Sequence, residues 1–394
     1  MSASDPFALE YHPESYRRVI AGEEVILHCH HYNSRLQRTL EGAEGVNGKG
    51  IIRKSASHVF ERQVNTAARS SDPAERLTTA ARLYGHLGFG KVDFSELDQG
   101  TITSTSAHFV EGWHAGFKGK AECVCTFTEG FLQGAIQAAT GRSVQVRETH
   151  CMMGGHTHCS FEVQESERNT PQFPKFTFSF AQEPRSGFQE SDSVDEATII
   201  GALVAMPIHG DPDGPGLIPA FGVYLANMPA DFYNLACHTF VQRMTAQGKL
   251  QTARELLIAD AESCAMNTFR GIMNSPEWEG LVGPMIKQRS DKLFGLIAVS
   301  NALGWGNWHV AEHTPSESLE LVSLNGYEAL GYRELFGEGA GAPMCFMLAG
   351  VSAGIMELLY SYGSIEERFG TFLGDEEDCI CTGNSHCSFL VEAA

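Results

Sequence analysis

The chain has 394 residues, of which 43% are hydrophobic, and its 28 basic residues against 48 acidic ones give a net charge of −20. This composition is typical of a globular protein that is long for a single core, so two domains are expected. The sequence contains no Lys/Arg-rich run, so a nucleic-acid-binding or anionic-membrane-binding surface is not expected.

The N-terminal segment has no apolar core of a signal peptide, and the most apolar stretch, 345–360, is too short to cross a bilayer. Eleven cysteines in such a chain favour reduced thiols and metal ligation over disulfides. We therefore expect a cytoplasmic protein without a membrane anchor.

The first part of the chain is predicted to be helical. After an extended lead with a turn at Gly22, helical periodicity predicts helices at 23–40, 58–66 and 73–87. Residues 91–120 alternate in the manner of strands.

Helical periodicity returns after Cys125. Gly130 and Gly134 lie one turn apart there, which predicts close contact with another backbone. A strand at 143–148 and a hairpin at 151–159 complete this half.

A polar stretch with several prolines and an acidic run is the best candidate for a linker. It places the linker at 166–195 and the two domains at 1–165 and 196–394. Strands are predicted at 197–208 and 217–226, on either side of a loop, and helices follow.

One pattern occurs twice in the chain. A Cys is followed by Gly at plus five and plus nine, then by a Glu three residues before a second Cys, and a third Cys comes eight residues later. The members are Cys125, Glu148, Cys151 and Cys159 in the first copy, and Cys345, Glu376, Cys379 and Cys387 in the second.

The segments before the two patterns can also be aligned by inspection. Asn33 aligns with Asn267, LGFG at 87–90 with LGWG at 303–306, and His108 with Tyr327. Each copy is predicted to be an α+β unit of helices packed on an antiparallel sheet.

Three thiolates and one carboxylate form the ligand set of a tetrahedral Zn²⁺ site, and four protein ligands favour a structural metal over a catalytic one. The second copy carries an insertion of eight residues before its Glu, so Glu377 or Asp378 could replace Glu376 there. The sequence therefore predicts two structural zinc ions. Buried free thiols are the alternative.

The Cys-Gly-Glu-Cys-Cys pattern resembles the 4-vinyl reductase domain over residues 23–163 and 250–391. That domain occurs in the sensor modules of phenol- and aromatic-responsive bacterial activators and in a protein linked to bacteriochlorophyll vinyl reduction. Its fold is related to the NO-signalling and Golgi-transport ligand-binding fold. The resemblance implies that the same eight residues bind zinc, and that two zinc-hairpin domains pack as an intramolecular pseudo-dimer.

The resemblance also implies a ligand pocket between helices and sheet. Tyr84 or His86 stands at one anchor position of the family and Ser104 near the other, with Ser300 and Ser323 in the second copy. His108 and Tyr327 are the further pocket candidates, on strands. The first hypothesis is a protein that binds a small aromatic or apolar ligand and acts through a partner protein, with a homo-oligomer as an open alternative.

The second hypothesis is an enzyme that acts on an unsaturated small molecule or a tetrapyrrole in the first-domain pocket. Its proton-handling candidates are His28, His31, His86 and His108. A scaffold whose pocket is filled by side chains is the third hypothesis.

Overall fold

The computed structural model of the protein describes residues 5–117, 119, 123–167, 187–337 and 341–394. Most of the linker predicted at 166–195 lies outside these residues. The first half contains β1 (Glu10–His12), β2 (Arg17–Ile20), β3 (Glu23–Cys29), α1 (His30–Gly42), α2 (Gly48–Ala67), α3 (Pro73–His86), β4 (Gly90–Asp93), β5 (Thr101–Ala107), α4 (His108–Gly116), α5 (Thr126–Thr140), β6 (Val144–His150) and β7 (Cys159–Glu165).

The second half contains α6 (Glu196–Ala205), β8 (Ile218–Ala220), β9 (Val223–Pro229), α7 (Ala230–Thr245), α8 (Leu250–Met273), α9 (Pro276–Leu281), α10 (Asp291–Ala302), β10 (Trp308–Thr314), β11 (Ser318–Ser323), α11 (Tyr327–Phe336), α12 (Phe346–Tyr360), α13 (Ile365–Arg368), β12 (Phe372–Glu376) and β13 (Cys387–Ala393). Helices and antiparallel sheets are both present, as expected of an α+β protein. Over the described residues, no helix combines the length and the apolar character needed to cross a membrane.

Two antiparallel sheets of four strands have the same strand order. The first is ordered β4-β5-β7-β6 and the second β10-β11-β13-β12. In each, a long helix, α5 or α12, precedes the edge strand, and the last strand begins at the third Cys of the repeated pattern.

A third sheet, ordered β1-β2-β3-β9-β8, contains strands from both halves. At its centre Leu27 of β3 lies opposite Asn227 of β9, and the outer pairs are Val25 with Pro229 and Cys29 with Leu225. The pairing is symmetric about Leu27 and Asn227, because a shift of 200 positions takes 25 to 225 and 29 to 229 and so exchanges the two outer pairs. The LGFG and LGWG segments contact this centre in the same way, since Leu27 donates to the Leu303 carbonyl (3.0 Å) and Asn227 to that of Leu87 (2.8 Å).

Four sequence-based assignments are wrong. Residues 23–29 form β3 and not the start of a helix, because this apolar run pairs with β9 in the centre of a sheet. Residues 108–116 are helical, so His108 and Tyr327 begin helices and do not lie on strands. Residues 196–205 form α6 and not a strand. Asn267 lies in α8, which packs on α12 as α2 packs on α5, and therefore does not correspond to Asn33 in α1.

The close contact predicted for Gly130 and Gly134 is confirmed. A Cβ atom at Gly134 would lie 2.3 Å from the Ser57 carbonyl oxygen of α2, and one at Gly130 would lie 2.6 Å from that of Arg53. Gly350 approaches α8 in the same way, with 2.2 Å to the Ile258 carbonyl. Because these glycines have no side chain, α5 can lie directly on α2, and α12 directly on α8.

A buried pair of carboxyl groups joins α8 to α12. Glu262 accepts a hydrogen bond from the Gly370 backbone (2.9 Å) and Glu357 accepts one from Thr371 (2.9 Å). Burial, and then the neighbouring Glu262, raise the pKa of Glu357 to about 8. In the folded protein Glu357 therefore keeps a proton that it releases near the ordinary glutamate pKa when the chain is unfolded.

We expect this pair to make stability fall as the pH rises from about 4.5 to about 8, because a raised carboxyl pKa favours the fold only while the group is protonated. Glu357→Gln should make the decline between pH 5.5 and pH 8 shallower, as measured by urea unfolding. An equal decline in wild type and variant would contradict this assignment.

Candidate metal centres and a cavity

The first Cys-Glu group is assembled from three elements. Cys125 caps the N-terminus of α5, Glu148 lies in β6, and Cys151 and Cys159 flank the turn between β6 and β7. The Cys159 Sγ lies 3.8 Å from the Sγ atoms of both Cys125 and Cys151. Sulfur ligands about 2.3 Å from a tetrahedral zinc are about 3.8 Å apart. The thiols therefore have the separation that zinc requires.

The Glu148 carboxylate has one oxygen engaged and one without a partner. Its Oε2 accepts from the Cys125 backbone amide at 2.8 Å, whereas the buried Oε1 has no hydrogen-bond partner in the described part of the chain. Burial raises the pKa of Glu148 to about 8. A cation among the thiols would both use the second oxygen and favour the ionised carboxylate.

The second group repeats this geometry. The Sγ atoms of Cys345, Cys379 and Cys387 are 3.6–4.0 Å apart. Glu376 accepts from the Cys345 amide at 2.7 Å through Oε2, and its buried Oε1 has no partner among the described residues. Glu377 and Asp378, the alternatives considered from the sequence, are not members of the group. In both groups the four ligand atoms lie within 4.8 Å of one another, so each group could hold a metal ion.

Cys381 is a neighbour of the second group that the repeated pattern does not reveal. Its Sγ lies 3.1 Å from that of Cys379. In the first copy the residue two after the corresponding Cys is Met153, so comparison of the copies gives no signal for this thiol.

Aromatic side chains fill the space between α2, α3 and α5 where a pocket was predicted. Phe60 contacts Phe89, Phe127 and Phe131, with ring centroids 4.9–5.9 Å apart. A cavity of only about 10 Å³ lies nearby, next to Phe109. A ligand would enter this interior only if these rings moved.

The five pocket candidates are all buried, four of them in the first half and Tyr327 at the start of α11. The Tyr84 hydroxyl lies 2.7 Å from the Thr128 hydroxyl, and Ser104 donates to the Ser106 carbonyl at 2.9 Å. The His108 Nε2 lies 2.9 Å from the Asn33 side chain, and Tyr327 is fully buried.

The histidine candidates for catalysis are only partly brought together. His31 and His108 both adjoin His30, with ring centroids 4.0 and 6.3 Å from that of His30, whereas His28 and His86 have other neighbours. His28 is stacked between Tyr32 and Trp305, with ring centroids 4.4 and 4.8 Å away, and burial lowers its pKa to about 3. His31 is half-buried on α1, and His86 lies at the end of α3.

His86 lines a cavity of about 670 Å³ that the sequence did not predict. The cavity lies between residues 5–11, β2, α3 and residues 204–213. The His86 ring stacks on that of His209 (4.7 Å) and contacts Phe7 (5.3 Å). Burial, and then His209, lower the pKa of His86 to about 4. Because the walls come from segments distant in sequence, no local motif could have indicated them.

One segment of the chain matches a known protein family. Residues 114–165, which contain the whole first Cys-Glu group, match the model of the 4-vinyl reductase domain family. The resemblance predicted from the sequence is thereby confirmed for this segment. One similar solved structure is the phenol-responsive sensory domain of the transcription activator PoxR with phenol. It has 17% sequence identity and a TM-score of 0.32, over 41% of this chain and 74% of that chain. No curated protein matches the chain.

Proposed function

We propose that the protein binds a small apolar or aromatic molecule in the cavity beside His86, on a scaffold stabilised by one structural zinc in each half. The observation that carries the proposal is the cavity itself. Its volume of about 670 Å³ lies within the range of ordinary small-molecule sites, about 300–1,000 Å³. Apolar walls and a few polar groups are also typical of such sites.

The zinc assignment rests on the donor set. Each group offers three buried thiols at zinc-like spacing and a carboxylate oxygen with no other partner among the described residues. Sulfur donors favour zinc over magnesium or calcium, and the four ligands leave no position open for a substrate. The metal would hold the start of a helix, an edge strand and a hairpin together.

We further propose that the two halves are repeated domains of the 4-vinyl reductase type, 1–165 and 196–394, joined by the linker 166–195 and paired as a pseudo-dimer. The common strand order of the two small sheets supports this arrangement. The pairing of β3 with β9 supports it as well, because its register relates Leu27 and Asn227 symmetrically. A ligand that changes the contact between the halves could then be sensed by a partner protein.

We expect native mass spectrometry of the purified protein to show two zinc ions and one organic ligand per chain, with the ligand lost on denaturation. Ile208→Trp should abolish ligand retention and leave both zinc ions in place, because the indole would occupy the cavity that Ile208 lines. Leu373→Trp is the matched control, since Leu373 is exposed on β12 and does not line the cavity.

Retention of the organic mass by Ile208→Trp would place the ligand elsewhere. A wild-type protein that carries no organic mass, and whose thermal midpoint does not shift with phenol, indole or octanoate, would contradict ligand binding. Zinc content is read in the same spectra, so the metal assignment is tested separately.

A further inference from the structure

Arg18 is a buried cation at the wall of this cavity without an acidic partner among the described residues. Its side chain is 2% exposed, and Nη1 donates to the Ala302 carbonyl at 3.1 Å. Its Nε has no hydrogen-bond partner in the described part of the chain, and no carboxylate there forms an ion pair with it. Burial lowers the pKa of Arg18 to about 10, so the charge persists at neutral pH. Buried charges are normally paired, so an unpaired guanidinium at a cavity wall requires an explanation.

Arg17, the neighbour of Arg18 in the same strand, has the acidic partner that Arg18 lacks among the described residues. Successive residues of a strand point to opposite faces of a sheet. Arg17 is equally buried, and its Nη1 lies 2.9 Å from the Glu24 carboxylate. The protein therefore supplies an acid to one of two adjacent buried arginines and leaves the other facing the cavity.

The acidic groups of the cavity lie at its exposed rim. Asp213 pairs with Arg82 at 2.8 Å, and both side chains are about half exposed or more. Asp5 is exposed and accepts from the Phe7 backbone amide. Neither forms an ion pair with Arg18. The apolar side chains that line the cavity are Phe7, Leu9, Met206 and Ile208.

We propose that the ligand is an apolar monocarboxylate whose carboxylate pairs with Arg18 while its hydrocarbon or aromatic body fills the apolar part of the cavity. This inference rests on the proposed binding function and specifies its ligand class. One uncompensated cation calls for one negative charge, so a monoanion fits better than a phosphate monoester. A guanidinium also matches the two oxygens of a carboxylate geometrically.

Isothermal titration calorimetry with matched acid and amide pairs tests the proposal. The probes are 4-phenylbutyrate against 4-phenylbutyramide, octanoate against octanamide, and octyl phosphate as a dianion. We expect wild-type protein to bind each acid at least about tenfold more tightly than its amide, because the amide leaves the arginine unpaired. Octyl phosphate should bind more weakly than octanoate.

Arg18→Gln should reduce the acid-to-amide preference to about one. Arg18→Lys, which guards against a folding defect, should retain part of the preference, because it keeps the charge and loses the planar match to the carboxylate. Arg142→Gln is the control, since Arg142 is about half exposed, pairs with Glu165 and does not line the cavity. It should change the preference less than about threefold.

If amides bind as tightly as acids, and Ile208→Trp blocks both, the ligand is not an anion. The proposed binding function would still hold in that case. An acid preference that survives Arg18→Gln would overturn the role of Arg18, and tighter binding of octyl phosphate would overturn the monocarboxylate. If no probe binds and no organic mass copurifies, the proposed function fails as well.

Discussion

Replacing Cys151 by serine is expected to lower the zinc content from two ions per chain to one and to destabilise the first half of the protein. The serine hydroxyl is a poor zinc ligand, and the loss of the thiol leaves Cys125, Cys159 and Glu148 buried around an incomplete site. Loss of a structural metal is among the few changes that cost about 4 kcal/mol or more. Metal analysis and thermal unfolding measure the two effects.

Cys123→Ser is the matched control for this experiment. Cys123 lies two residues from Cys125 but is half-buried and is not a member of the metal-binding group. The control should keep both zinc ions and nearly the wild-type unfolding temperature. Two zinc ions in Cys151→Ser, or equal zinc loss in both variants, would contradict the assigned ligand set.

Adding a single methyl group at Gly134 is expected to destabilise the helical core strongly. In Gly134→Ala the new Cβ would lie 2.3 Å from the Ser57 carbonyl oxygen and 2.8 Å from the Glu61 amide nitrogen. Both atoms belong to the backbone of α2, so a rotamer change cannot relieve the overlap and the helices must separate. We expect a loss of about 3 kcal/mol or more in the free energy of unfolding, measured in urea.

The same substitution at Gly201 is expected to have the opposite effect on the free energy of unfolding. Gly201 lies within α6, and a Cβ there would meet no atom within 4 Å. Alanine favours a helix over glycine, so this variant should gain up to about 1 kcal/mol. If Gly134→Ala lowers the free energy of unfolding no more than an ordinary surface substitution does, α2 and α5 lie further apart than described.

The two Cys-Glu groups could be predicted from the sequence because their spacing is local. Within each group the ligands come from one helix start, one strand and one hairpin that follow each other closely in the chain. Chain connectivity therefore restricts how far apart Cys125 and Cys159 can lie. The glycine spacing at 130 and 134 is informative for the same reason, since it describes one face of one helix.

The sequence by itself thus determined the mixed helix-and-sheet composition, the two Cys-Glu groups and the glycine contacts of α5. Only the tertiary structure decided that residues 23–29 form a strand, because their hydrogen-bonding partner β9 lies 200 residues away. It also decided that the predicted interior is filled by aromatic rings, and that Arg18 faces a cavity without an acid while Arg17 is paired. These features depend on segments that meet only in the folded chain, and no local pattern of residue types encodes such a meeting.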